Sequence, residues 1–257
     1  MNKKNKISDL DPNFKVAGGG TPDGLCWHDA AADKFTVRGL PWFNENDPAQ
    51  GQYSRFPPRA QKLVRPEVWQ LSRCTAGVRV CFKTDSTRIV IRVTNEHAVV
   101  MSHMPASGSG GLALYVGEPY RMQPCRGVIP DQQATTFERE LLVNLPRAMR
   151  EYTLYLPLYN ICRKLEIGLV AGSAIQPPTP PSFAKPVVFY GTSITQGGCA
   201  SLPCSDYVAT IGRRLNVDVV NLGFSGNGRG DPEVATLMSE IDAALYVLAY
   251  SENASPG

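Results

Sequence analysis

The 257-residue chain is 43% hydrophobic and carries a formal net charge of +3, enough apolar content for one substantial core and part of a second. A charge this small and dispersed argues against a nucleic-acid partner, because Lys and Arg alternate within strand-like runs as solvated sheet faces do. No apolar run approaches the ~20 residues that a membrane helix needs, and the opening Met1-Asn2-Lys3-Lys4-Asn5-Lys6 leads into a polar segment rather than a signal sequence. No membrane partner is therefore expected, and the cytoplasm is the default compartment.

From residue 15 to 175 the chain shows short β-rich runs separated by Gly, Pro and Asp/Asn turns. The runs 78–83, 88–93, 111–116, 140–145, 152–157 and 164–170 read as strands, and in the second Ile89, Ile91 and Val93 alternate with Arg88, Val90 and Arg92. This pattern predicts an all-β, jelly-roll-like antiparallel sandwich. Trp42 and Phe43, and Tyr53 with Phe56, sit in Gly/Pro-rich loops. There they either stack on a sugar ring or close the sandwich and pack on the remainder of the chain. Trp27 and Trp69 read as core or interface residues. The seven cysteines are expected to be free thiols in a reducing compartment, with Cys81 and Cys162 inside strand patterns. Cys199 and Cys204 either pair or simply line a loop. No Cys/His cluster has zinc spacing, so neither metal nor cofactor is expected.

The Pro-rich stretch 176–181 reads as a stiff, extended linker. The predicted organisation is a sandwich domain over 1–176, a linker over 177–184 and an α/β domain over 185–257.

Beyond the linker the pattern changes. Val187 to Tyr190 reads as a buried strand that stops at Gly191 and releases Ser193 into a loop ending in Gly197 and Gly198. Residues 205–215 read as a helix with Tyr207, Val208, Ile211 and Leu215 on one face. Residues 218–222 form a second strand, followed by the Gly-rich stretch 223–228. A second helix opens at Asp231-Pro232 and runs to about Ile241. Residues 243–249 form a third strand, followed by Tyr250-Ser251-Glu252-Asn253. This β-α-β-α-β order implies parallel strands with right-handed crossovers. Ligands of such sheets bind beyond the carboxyl ends of the strands, where Ser193, Gly226 and Asn253 fall. A hydroxyl with backbone and amide N–H donors suits acyl transfer, although Gly-x-Ser also occurs in ordinary capped turns.

These residues resemble the SGNH (GDSL-type) hydrolases. Gly191-Thr192-Ser193-Ile194-Thr195 is similar to the first block of that family, with threonine in place of the commonest aspartate. Asn221-Leu222-Gly223-Phe224-Ser225-Gly226 is similar to the second block. Asn253 falls where the third block supplies its asparagine, although Ser251-Glu252 replace the usual glycines. The resemblance implies a three-layer, flavodoxin-like parallel-sheet fold. It also implies Ser193 as nucleophile, with its own N–H, Gly226 and Asn253 as the oxyanion hole. Two-domain members with a preceding β-sandwich, often acting on acylated carbohydrate, share this layout.

The family's last block, an Asp-x-x-His carrying the general base, has no counterpart after Ser193. The histidines are His28, His97 and His103, of which His97 and His103 read as the end of a strand and a loop. With three strands in residues 185–257, against about five in a typical sheet, the α/β part is expected to be C-terminally truncated and its unpaired edge to allow oligomerisation. The functional expectation is a serine ester hydrolase, for example an acetylesterase, that deacylates small or carbohydrate esters and is impaired by the missing block. The alternative is a non-catalytic carbohydrate- or protein-binding sandwich with a vestigial hydrolase segment.

Overall fold

A computed structural model describes residues 24–254 except 33, 49–51, 99–100 and 132. The opening polar segment 1–6 therefore lies outside the described residues.

The first part is built from two antiparallel sheets. One runs in the order β1 (Leu25–Asp29), β9 (Cys162–Val170), β4 (Ile89–Asn95), β7 (Thr136–Leu142). The other runs β10 (Ile175–Gln176), β3 (Arg79–Thr84), β8 (Arg150–Tyr155), β5 (Leu112–Val116), β6 (Gln123–Val128), with β2 (Thr36–Arg38) also on β3. Their facing side chains form one core, in which Ile89, Ile91, Val93, Leu165 and Ile167 meet Val80, Phe82, Leu112, Leu114 and Leu154. The alternation in 88–93 thus selects the buried face, while Arg92 lies over the Trp27 ring at 4.1 Å on the other side of its sheet.

Four strands escape the sequence pattern. β6 contains Pro124 and Gly127 and pairs only with β5; an edge strand can carry a proline because one row of its N–H groups has no ladder partner. β10 ends at the first residue of the Pro-rich stretch, and β1 and β2 are short. The run expected over 140–145 is shifted to Thr136–Leu142, because its pairing with β4 begins at Thr136 opposite Thr94, and Asn144 turns the chain at φ 54.

The stretch after β10 is extended but fastened. Thr179 donates to Glu151 through both N–H (2.9 Å) and hydroxyl (2.7 Å), and Arg38 donates to the Thr179 carbonyl. Ser182 N–H reaches the Asn216 carbonyl at 2.7 Å.

The second part holds a parallel sheet ordered β12 (Val219–Gly223), β11 (Val187–Gly191), β13 (Leu245–Ala249). One covering helix spans Tyr207–Leu215. It starts where it does because the Asp206 carboxylate accepts from Ala209 N–H, and it ends at Asn216 in the left-handed region. Its Val208 packs with Phe189 and Val219, whereas Leu215, expected on the apolar face, is exposed. The other helix spans Pro232–Ser239, shorter than the expected end at Ile241. β13 leaves Leu245 55% and Leu248 60% exposed.

The opposite face of this sheet is covered largely by residues 42–69, which the sequence places within the sandwich. Trp42, Phe56, Ala60, Val64, Val68 and Trp69 pack with Val188, Tyr190, Leu222, Phe224 and Leu237. The helix Pro66–Ser72 lies in this segment. Among the described residues the α-helices are, in chain order, α1 (Pro66–Ser72), α2 (Ala106–Ser109), α3 (Ser193–Gln196), α4 (Tyr207–Leu215) and α5 (Pro232–Ser239).

Candidate active site

The three predicted residues follow strand ends that are in register. Gly191 pairs with Gly223 on one side and Ala249 on the other, so the chains leaving toward Ser193, Gly226 and Asn253 emerge from one end of the sheet.

The turn that presents Ser193 is set by its neighbours. Thr192 caps α3, its hydroxyl accepting from Ile194 N–H at 3.3 Å. Gly197 adopts φ +100 and closes the turn, with its N–H and that of Gly198 both donating to the Ser193 carbonyl, at 3.0 and 2.7 Å. Ser193 is half-buried. A Cβ on Gly191 would collide with Thr195 Oγ1 and the Ala249 carbonyl, so only glycine fits at this strand end.

The second loop is tied to the first. Phe224 N–H donates to the Gly191 carbonyl at 2.9 Å, and Asn227 and Gly228 donate back to the Phe224 carbonyl. The buried Gln196 carboxamide bridges the loops, accepting from Ser225 N–H at 2.9 Å and donating to the Leu158 carbonyl. Asn221 holds strand to turn, donating to the Thr195 carbonyl at 2.7 Å while accepting from Gly223 N–H. Gly226 is exposed with φ +68, and among the described residues its N–H donates to no partner. Asn253 ends a 3-10 turn, Ser251–Asn253. Its Nδ2 is buried with no hydrogen-bond partner among the described residues, a costly arrangement that a bound acceptor would relieve.

The first part of the chain supplies several residues that the sequence did not single out. Arg55 is fully buried and donates to the carbonyls of Cys74 (2.8 Å), Leu71, Asn221 (2.9 Å) and Gly223 (2.8 Å). Burial pushes its guanidinium down to about 10. Arg65 grips Asn227 and Asp231; Asp231 thus spends its carboxylate on Arg65 rather than on capping α5. Burial raises the Tyr159 hydroxyl pKa. A Cβ on Gly198 would lie 3.1 Å from the Tyr159 hydroxyl and 3.3 Å from Ser193 Cβ, which places the phenol beside the candidate nucleophile. Tyr159 joins Pro66, Glu67, Gln70, Leu71, Ser225 and Asn227 around a cleft of about 460 Å³. No local spacing announces these residues, because Arg55 and Arg65 reach Asn221, Gly223 and Asn227 across more than 160 residues of sequence.

The loop aromatics resolve in favour of packing. Trp42, Tyr53 and Phe56 are buried, and the Trp42 indole donates to Glu240 at 3.0 Å, so these three offer no open face to a sugar. All seven cysteines are free, Cys199 and Cys204 included. Cys199 donates to the His103 carbonyl at 3.5 Å, which brings the His103 backbone to the loop after Ser193. His97 is exposed beside Glu96, and His28 packs edge-on to Phe35. Among the described residues no His, Cys, Asp or Glu group could hold a metal, and no helix is long and apolar enough to cross a membrane.

Asp206 gives a pH signature. Burial raises its pKa from 3.8 to about 6 although Arg213 and the Ala209 N–H favour the charged form. The folded state therefore holds the proton more tightly than the unfolded state. The resulting stabilisation is complete below the unfolded pKa and is lost as pH rises through about 6. Asp206→Asn keeps the acceptor for Ala209 and should leave stability at pH 3.5 nearly unchanged while adding about 2–3 kcal/mol at pH 7.5. Urea unfolding of both proteins at the two pH values checks this, and an equal difference at both would refute it.

Residues 25–175 match the sequence model of a family described as the N-terminus of SGNH hydrolase-type esterases, and residues 184–256 match the GDSL-like lipase/acylhydrolase family. Among solved structures, the chain is similar to a GDSL-like lipase from Bacteroides ovatus ATCC 8483, with 29% identity and a TM-score of 0.82 over 90% of this chain and 66% of that one. It is also similar to SsfX3, a salicylyl-acyltransferase from a tetracycline biosynthetic pathway, at 21% identity and a TM-score of 0.69, covering 90% of this chain and 63% of that one. The chain thus spans slightly less than two thirds of the length of either. No curated protein sequence matches it.

Proposed function

The chain belongs to the SGNH hydrolase-type esterases, and from that membership we propose that it is a serine ester hydrolase acting on small or carbohydrate esters. The observation that carries this reading is the in-register end of β11, β12 and β13, beyond which Ser193 emerges with a Gly226 N–H and an Asn253 Nδ2 that have no partner among the described residues. Residues 1–176 and 185–257 are read as its two domains, joined by 177–184.

In the reaction Ser193 Oγ attacks the ester carbonyl carbon and forms the acyl–oxygen bond. The carbonyl oxygen takes up negative charge and is held by Ser193 N–H, Gly226 N–H and Asn253 Nδ2. Collapse breaks the bond to the alcohol, which leaves with a proton, and water then releases the acid from Ser193. The hydroxyl proton needs an acceptor. All three histidines precede Ser193 in sequence, and no Asp-x-x-His follows it, so residues 1–257 are expected to turn over p-nitrophenyl acetate slowly. In a well-studied protease, loss of the base alone costs roughly a million-fold in turnover.

A fluorophosphonate probe tests the assignment without requiring turnover. The expected result is slow covalent labelling of Ser193, located by peptide mass, that disappears in Ser193→Ala. Absence of labelling in the unmodified chain, or labelling that survives Ser193→Ala, would refute it. Fast ester turnover by residues 1–257 would redirect attention to His97 and His103.

A further inference from the structure

The Ser225–Gly226 peptide is fixed from both sides. Its carbonyl and the Gly226 N–H lie in one rigid plane and point in opposite directions, so whatever holds the Ser225 carbonyl also aims the Gly226 N–H. The donor to that carbonyl is Asn227 Nδ2, at 3.0 Å. The other end of the same carboxamide, Asn227 Oδ1, accepts from Arg65 Nη1 at 2.8 Å. The opposite amide orientation would turn an NH2 group toward the guanidinium, so Arg65 selects the rotamer that reaches Ser225. Arg65 is itself pinned. Its Nη2 donates to the Asn227 carbonyl at 2.9 Å, and its Nε and Nη2 form a two-pronged pair with Asp231 at 2.9 and 3.0 Å. On the preceding residue, Ser225 N–H is held by Gln196. Nothing packs on Gly226 within 4 Å of the position its Cβ would take, and its carbonyl accepts from Arg229 Nε at 3.1 Å.

We propose that Arg65, at the N-terminus of α1 and outside the α/β segment, is a positioning residue that aims the Gly226 N–H at the developing oxyanion through the Asn227 carboxamide. This inference rests on the reading of Gly226 as an oxyanion donor given above. Arg65 touches no reacting atom. Its contribution is orientation, a planar fork that a lysine's point charge cannot reproduce.

The decisive variant is Asn227→Asp. It keeps an acceptor for Arg65, and hence the clamp, but removes the donor to the Ser225 carbonyl. Arg65→Ala and Arg65→Lys remove or blunt the fork. The readout is phosphonylation of Ser193 by a fluorophosphonate, in which the Oγ–P bond forms, the P–F bond breaks, and fluoride and the hydroxyl proton pass to solvent. Asn227→Asp and Arg65→Ala should lower the limiting labelling rate about 10- to 100-fold, a fraction of the loss seen on deleting an oxyanion donor. Arg65→Lys should fall in between. The half-saturating probe concentration should stay constant, since the contact forms only at the transition state. Asn227→Asp should melt within a few degrees of the parent. Equal limiting rates in Asn227→Asp and the parent would overturn the relay while leaving Ser193 as nucleophile. A rate loss that only tracks the unfolded fraction would also overturn it. A parent chain that is not labelled at Ser193 would overturn both readings.

Discussion

Replacing Arg55 by leucine should lower the stability of the chain by about 3–5 kcal/mol, the range for removing one partner from a buried charged network. The guanidinium is fully buried, and its charge is spread over backbone carbonyls of Leu71, Cys74, Asn221 and Gly223 and the face of Phe224, 5.0 Å away. Leucine satisfies none of these acceptors, and each buried carbonyl left without a donor costs about 1–3 kcal/mol. Because Asn221 and Gly223 bracket the end of β12, the loss should extend to the Gly226 loop. Arg55→Lys should recover only part of it, since one ammonium has three donors. Urea unfolding measures the effect, and a change below about 1 kcal/mol would show that the carbonyls find water or other donors.

The second large effect is steric. A Cβ on Gly223 would sit against the Gln196 backbone nitrogen and 2.6 Å from both Gln196 Cα and Thr195 C. These are backbone atoms of α3, so no rotamer change can relieve the overlap, and β12 must part from the turn that carries Ser193. Gly223→Ala should therefore cost about 3 kcal/mol or more, at the upper end of overpacking penalties, and slow the labelling of Ser193. Gly226→Ala is the control. Its Cβ would meet nothing within 4 Å, so only the strain of φ +68 remains, about 1–2 kcal/mol. Thermal melts of the two variants should differ clearly, and equal melts would contradict the close packing of α3 on β12.

The alternation of β11, α4, β12, α5 and β13 is legible in the chain because its signals are local. Apolar runs stop at Gly191 and Gly223, helical spacing marks 205–215, and the Asp231-Pro232 pair marks the start of the second helix. The sandwich strands with clean two-residue alternation, β4 above all, are legible for the same reason. Segments whose structure depends on distant partners are not. Residues 42–69 carry no period, yet their Trp42, Phe56 and Trp69 cover the parallel sheet. β6 hides behind a proline that only an edge position permits. Arg55 and Arg65 look like ordinary loop cations until the folded chain brings Asn221 and Asn227 to them. Local motif therefore points to Ser193, Gly226 and Asn253, whereas the groups that hold their loops follow only from tertiary packing.

The most direct measurement is a crystal structure of the chain after reaction with a small fluorophosphonate. The predicted adduct sits on Ser193 Oγ, with the phosphonyl oxygen about 3 Å from both the Gly226 nitrogen and Asn253 Nδ2. An adduct whose oxygen faces solvent, beyond about 4 Å from both donors, would contradict the shared oxyanion site.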